Sequence, residues 1–189
     1  MNTRAADTKA RILRAAVGEF SAHGIAGARV DRITTEAGVN NSLLFRYFGS
    51  KAQLFDAVFD ELAARTVEDV PFDATDLPEY AGSLFDYYEA NPDIVRLSAW
   101  YQLERSDDSL PPQVLNSHAN KIALLAEAQR SGLVSSQMSA EQLLNMIIHV
   151  SIAGTGLTPV LTPANLDAKE SRASIVGAVR VLVDSAGAA

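Results

Sequence analysis

The residues best suited to chemistry lie between positions 29 and 51, and their types suit contact with nucleic acid. An Asn side chain can offer a donor and an acceptor together to an adenine edge, and an Arg can reach a guanine or a phosphate. Tyr47 and Lys51 are better placed for phosphate, and Arg29 and Arg32 for the DNA backbone. The other interpretation is that Phe45 and Tyr47 only pack and that Arg46 pairs with an acid. The candidate DNA-binding residues are Arg29, Arg32, Asn40, Asn41, Ser42, Phe45, Arg46, Tyr47 and Lys51.

The elements that must position these residues are two short helices separated by a tight turn. Val30, Ile33 and Ala37 recur at helical spacing and predict one buried stripe. Gly38 supplies the backbone freedom with which a helix ends. In the next helix Leu44 and Phe48, four residues apart, point inward, which leaves a small, polar, partly basic outer face. This pattern favours a helix-turn-helix unit whose second helix enters the major groove.

The charge distribution favours the same hypothesis. The whole chain of 189 residues has a net charge of −7, which alone argues against nucleic acid. Residues 1–53 nevertheless hold eight Lys and Arg against four acids, a net +4, and the remainder holds eight against nineteen, a net −11. A basic head on an acidic body suits a protein that presents one end to phosphate, although a merely solvated basic face would look the same.

Positions 9–55 resemble the N-terminal domain of the tetracycline-repressor (TetR-like) family of bacterial transcription regulators. The ordered segments that carry the likeness are 12–24, 33–39, 44–48 and 50–54, with LFRYF at the recognition helix. Thr34, Ala28 and Phe45 depart from the family pattern; Phe45 lacks the hydroxyl of the usual Tyr. A second, weaker likeness, to the ligand-binding domain of one subgroup, spans positions 80–104. The resemblance implies DNA contact by the recognition helix and Lys51.

The chain as a whole is predicted to be all-α, because alternating β-branched runs with hairpin turns are absent. We expect a three-helix helix-turn-helix domain over residues 1–54 and a helical effector-binding and dimerisation domain over 55–189. Two capping boxes, Ser50 with Gln53 and Ser139 with Gln142, predict the starts of two helices.

The helical body is expected to hold a small organic effector, an expectation that depends mainly on the family resemblance. Aromatic and polar residues interleave on faces predicted to point inward, as in apolar pockets with a few oriented polar groups. Ordinary core packing is the alternative for each of them. The candidate pocket residues are Phe59, Phe85, Tyr88, Trp100, Tyr101, Asn145 and His149.

The last two helices are too apolar for a solvated surface and predict self-association. On a monomer their apolar residues would form an exposed patch, and pairing them with a second copy gives the four-helix dimer seam usual in the family. A homodimer would also place two recognition helices on a palindromic site in double-stranded DNA. The candidate interface residues are Ile147, Ile148, Ser151, Ile175, Val179 and Leu182.

The functional hypothesis is therefore a DNA-binding transcriptional regulator, a repressor released from its operator by an effector. The alternative is an activator, or a DNA-binding dimer that needs no effector. Scattered histidines, no cysteine and no nucleophile elbow or phosphate-binding loop argue against an enzyme, a metal site or a cofactor. A charged N-terminus and the lack of a long apolar run predict a cytoplasmic protein that has no membrane partner.

Overall fold

The computed structural model describes residues 3–105, 110–153, 155 and 167–184. Over these ranges all regular secondary structure is helical and no strand occurs, which confirms the all-α prediction. The helices are α1 (Thr3–Gly27), α2 (Val30–Ala37), α3 (Asn41–Phe48), α4 (Lys51–Asp69), α5 (Leu77–Ala90), α6 (Pro92–Glu104), α7 (Pro112–Arg130), α8 (Ala140–Ala153) and α9 (Ala168–Val183).

Local capping chemistry sets several of these boundaries. Ser139 and Gln142 satisfy each other's backbone amides at the start of α8, with N···O distances of 3.2 and 3.3 Å, as a capping box requires. Ser50 accepts from the amide of Gln53 at the start of α4. Asp76 caps α5 by accepting from the amide of Glu79. The two helix starts predicted from capping boxes, at Ser50 and Ser139, are confirmed.

Two compact units divide the chain, and the division does not fall at residue 54. The first unit combines residues 1–64 with 93–111, and the second combines 65–92 with 112–189. Helix α6, which the sequence assigns to the C-terminal domain, therefore packs with the DNA-binding head. Within this unit Phe20 of α1 meets Phe55 of α4 edge to face at 5.3 Å, and Tyr101 of α6 stacks on Phe59 at 4.5 Å.

The second unit is built around α5, which packs against α8 and α9, while α7 packs against α8. Ser151 of α8 donates to the carbonyl of Ala81 at 3.1 Å. Arg172 of α9 bonds the carboxylates of Glu79 and Asp86 on α5. Among the described residues, no helix is both long enough and apolar enough to cross a bilayer.

The predicted exposed patch on α8 and α9 is largely wrong, because α5 covers most of it within the same chain. Ile147, Ser151, Ile175 and Val179 are all buried in the second unit. Only Ile148 and Leu182 are half-exposed. The outward apolar residues are instead Met146 on α8, 41% exposed, and Val181 on α9, 79% exposed.

Candidate nucleic-acid interface

Helices α2 and α3 form the predicted helix-turn-helix, and Gly38 makes the turn between them possible. Gly38 has φ 62° and ψ 41°, the left-handed conformation that closes a helix, and its amide bonds back to α2. Ile33, Leu44 and Phe48 face the core of the first unit, with exposures of 0, 0 and 7%. The apolar stripes read from the sequence therefore fix which side of α3 faces solvent.

The outer face of α3 presents Ser42, Phe45 and Arg46 to solvent. Phe45 is 41% exposed, which is high for a large apolar side chain. The guanidinium of Arg46 lies 5.9 Å from the ring centroid of Tyr47, and no acid pairs with it among the described residues. The interpretation in which Arg46 is neutralised by a carboxylate does not hold within this part of the chain, and its charge remains available for DNA.

The two asparagines at the start of α3 are engaged within the protein instead of projecting freely. Asn40 is the N-cap, and its side chain accepts from the amide of Leu43 at 2.8 Å. Asn41 accepts from the hydroxyl of Thr34 at 2.8 Å and donates to Asp31 at 3.0 Å. The expectation that Asn41 offers both amide groups to adenine conflicts with these two bonds, which fasten α3 to α2. Thr34, one of the three departures from the family pattern, supplies one of them.

The start of α2 is held by a carboxylate from α1. The N-cap residue Arg29 makes no side-chain capping bond, but Glu19 accepts from its backbone amide at 2.7 Å. Glu19 also pairs with Arg32 through bonds of 2.6 to 2.9 Å. Burial alone would raise the pKa of Glu19, yet the bonds from Arg32 and Arg29 outweigh it and lower that pKa. Arg29 and Arg32 are the two residues predicted to contact the DNA backbone, and only the Arg29 side chain extends largely into solvent. Among the described residues its one ion pair, with Asp31, is 4.0 Å long.

Residues 25–28, which are the end of α1 and the residue after it, are held in a clasp by side chains of α4 and α6. Lys51 donates to the carbonyls of Ala26 and Ala28 at 3.2 and 3.0 Å, so its ammonium already has partners before any phosphate approaches. From the other side Glu104 accepts from the amide of Ile25 at 2.6 Å and from that of Ala26 at 3.2 Å.

The clasp compensates for a break in α1 at Gly24. Gly24 has φ 66° and ψ −171°, which ends the regular hydrogen-bond ladder. A continuous helix would pair the Ile25 amide with the Ser21 carbonyl. Here Glu104 takes that amide, and the indole of Trp100 donates to that carbonyl at 3.2 Å. A Cβ at Gly24 would lie 2.7 Å from the Trp100 ring, so both the backbone angle and the close approach require glycine.

Comparison with known proteins agrees with this geometry. The family model described as "Bacterial regulatory proteins, tetR family" matches residues 12–58, and "Tetracyclin repressor-like, C-terminal domain" matches residues 76–181. The chain belongs to the TetR family. The resemblance drawn from the helix-turn-helix segment is confirmed, and the second match shows that the likeness extends over most of the chain.

Individual TetR-family relatives support the assignment. The HTH-type transcriptional repressor SCO4008 of Streptomyces coelicolor is 37% identical over 75% of this chain and 74% of its own length. The repressor NicS of Pseudomonas putida is 33% identical over 52% of this chain and 50% of its own. The crystal structure of the regulator SCO4942 from Streptomyces coelicolor superposes with a TM-score of 0.84 and 33% identity, covering 94% of this chain and 99% of that one.

The seven predicted pocket residues are divided between the two units. Phe59, Trp100 and Tyr101 belong to the first unit, whereas Phe85 and Tyr88 are buried in the second. Asn145 and His149 are exposed on α8, so the expectation that they point inward is wrong. His149 bonds the carbonyl of Asn145 one turn earlier on the same helix, at 2.8 Å.

Sequence reasoning missed two pairs of polar residues. Glu19 and Glu104 contact partners 10 and 79 positions away, and no local spacing announces such bonds. Lys121 and His118 on α7 are half-buried although they fall in a helix that otherwise reads as amphipathic. For Lys121 and His118, the one signal that could have identified them is an ionisable residue on the inward stripe of a helix.

Proposed function

We propose that this TetR-family chain is a homodimeric transcriptional repressor that binds a palindromic operator and is released by a small organic effector. The observation that carries the proposal is the free outer face of α3, where Arg46 has no acidic partner among the described residues. Repressors named among the relatives, SCO4008 and NicS, support the sign of regulation.

The residues proposed for this face fall into three classes: those that read bases, those that contact phosphate, and those that hold α2 and α3 in place. Ser42 and Arg46 are the base-reading candidates, because both are exposed on the helix that enters the groove. Arg29 and Tyr47 remain candidates for phosphate, as does Lys51 if its ammonium can serve a phosphate while holding the α1 carbonyls. Asn40, Asn41 and Arg32 act instead by fixing the positions of α2 and α3, through bonds that are already made.

Dimerisation is proposed to use the outward faces of α8 and α9. Met146 and Val181 are large exposed apolar side chains, and a twofold copy would remove them from water. A homodimer supplies the second recognition helix that a palindrome requires.

Release is proposed to act through the clasp at residues 24–29. Lys51 opens α4 and Glu104 closes α6, and both bond to the segment from which α2 begins. An effector that binds better when either helix is displaced would therefore shift α2 and α3 as well. A differential affinity of about 1–3 kcal/mol is the usual size of such coupling.

The test is selection of the full-length protein against random duplexes, followed by binding titrations at several salt concentrations. A palindrome should be enriched. Arg46→Ala should weaken binding to it by roughly fivefold to 150-fold if the guanidinium reads a base, or reduce the salt dependence by about one contact if it reads a phosphate. Arg130→Ala is the matched control, because Arg130 is exposed and Glu127 is its only ion-pair partner among the residues that the structure describes. No enrichment, or equal binding by both variants, would overturn the proposal.

A further inference from the structure

One phenylalanine lies exposed on the outer face of α3, in a chain that covers its other six. Phe45 is 41% exposed, whereas five of the others are at most 7% exposed. The sixth, Phe72, is half-buried and meets the ring of Tyr80 edge to face at 4.9 Å. The fold therefore leaves a single phenylalanine largely in water, and it leaves it on the helix that is proposed to enter the major groove.

The residues around Phe45 do not shelter its ring. Ser42, three positions before it, and Gly49, four positions after it, are exposed and small. Asn41, four positions before it, is held by two hydrogen bonds to side chains of α2. Within the described part of the chain, neither an aromatic ring nor a cation stacks on Phe45. The exposed part of the ring is therefore available to a partner.

The position of Phe45 indicates that this partner is duplex DNA. Phe45 lies between Ser42 and Arg46, the two exposed residues proposed to read bases, on the same outer face of α3. Residues 1–53, which include this face, carry a net charge of +4 and attract phosphate. A ring on this face of a helix seated in the major groove meets base edges.

The chemistry of those base edges determines which of them suits a phenyl ring. In the major groove the bases present hydrogen-bond donors and acceptors, and the one apolar group is the C5 methyl of thymine. A ring placed over a donor or an acceptor displaces water from it and returns no hydrogen bond, which costs free energy. A ring placed over the methyl removes apolar surface of both groups from water.

We propose that Phe45 reads a thymine in each half of the operator by covering its C5 methyl group. The inference depends on the proposed function and deepens it, since it adds a specificity-determining residue and one required base. The recognised feature is the methyl group itself, so a pyrimidine with the same pairing edge and no methyl should bind more weakly.

The experiment uses the full-length protein and the palindrome obtained by selection from random duplexes. Each symmetric pair of thymines is replaced in turn by deoxyuridine, which lacks only the methyl group, and the Kd is measured by fluorescence anisotropy. One pair should weaken binding by about fourfold per half-site, or about 15-fold for both halves. 5-Bromodeoxyuridine, whose bromine is close to a methyl group in size, should restore the affinity. Because the contact is apolar, the loss should be the same at every salt concentration.

Protein variants then test whether Phe45 makes this contact. Phe45→Ala should bind the thymine operator more weakly than the wild type does, and should bind the thymine and deoxyuridine operators equally. Val67→Ala is the control, because Val67 is a similarly exposed apolar residue on α4, 43% exposed, and this variant should keep the full difference. Each variant is judged by the ratio of its two affinities, so a partial loss of folded protein does not alter the result.

Two results would overturn the inference while the proposed function stands. One is a selected palindrome in which no thymine pair depends on its methyl group. The other is a methyl dependence that survives unchanged in Phe45→Ala. Failure to select any palindrome would overturn the proposed function, and the inference with it.

Discussion

Replacing Glu104 by alanine should loosen residues 24–29 while the rest of the helical fold stays intact. The carboxylate accepts from the Ile25 amide at 2.6 Å, and from the Ala26 amide at 3.2 and 3.4 Å. Alanine removes both acceptors and leaves the part-buried Ile25 amide without a partner. Glutamine retains one acceptor oxygen but no charge, so the pair of variants separates geometry from charge.

The stability lost in Glu104→Ala depends on which of the two amides water can reach. A hydrogen bond to a charged group contributes about 1.5–3 kcal/mol when it is shielded from solvent. The Ala26 bond is exposed, so water replaces it at little cost, and only the Ile25 bond should count in full. The indole bond from Trp100 to Ser21 remains and limits the damage to one turn. We expect a loss of about 1.5–2 kcal/mol for Glu104→Ala and roughly half of that for Glu104→Gln.

Urea unfolding at neutral pH gives the stability, and amide hydrogen exchange at Ile25 and Ala26 shows where it is lost. Operator affinity should fall with the Ala variant, because α2 begins from the loosened segment. Glu89→Ala is the matched control, because Glu89 is an exposed glutamate at the end of α5 that makes no hydrogen bond or ion pair among the described residues. Unchanged exchange at Ile25 in Glu104→Ala would refute the reasoning, and so would equal losses in the Gln and Ala variants.

Two further predictions concern the head and the proposed dimer face. Glu19→Gln should lower the free energy of unfolding in urea at pH 7 by about 1–2 kcal/mol. Folding lowers the pKa of Glu19, so the stability that its carboxylate supplies is present above the ordinary glutamate pKa of about 4.3. That stability should disappear as the pH falls through the lower pKa of the folded state. A deficit that persists at the acid end would contradict this account. Val181→Asp should convert the dimer to monomer in sedimentation experiments without loss of helicity, whereas Val67→Asp on α4 should not. A dimer that survives Val181→Asp would remove α9 from the interface.

The parts of the fold that the sequence predicts are those governed by local chemistry. Ser139 and Gln142 satisfy each other across three residues, and Gly38 closes α2 with its own left-handed backbone. The inward stripe of α3 follows from Leu44 and Phe48, the two residues of that helix that are fully buried. In each case the residues that decide the outcome lie within one or two helical turns of one another.

The predictions that failed required knowledge of which helix covers which face. Helix α8 is apolar around much of its circumference, so Ile147 and Ser151 could equally have faced solvent or α5. Periodicity cannot choose between two apolar stripes when the covering helix lies about seventy residues away. For the same reason the sequence predicted an inward His149, which is exposed, since a histidine in an apolar helix does not show which way it faces.

The break at Gly24 explains why contacts so distant in sequence converge on the DNA-binding head. Once the helical bond between Ile25 and Ser21 is lost, a part-buried amide and a part-buried carbonyl each need a new partner. Glu104 and Trp100 of α6 supply both, and Lys51 of α4 holds the carbonyls that follow. In a straight α1 the Ile25 amide would pair with the Ser21 carbonyl, and neither group would need a partner from α6. The glycine therefore makes the start of α2 depend on contacts with α4 and α6.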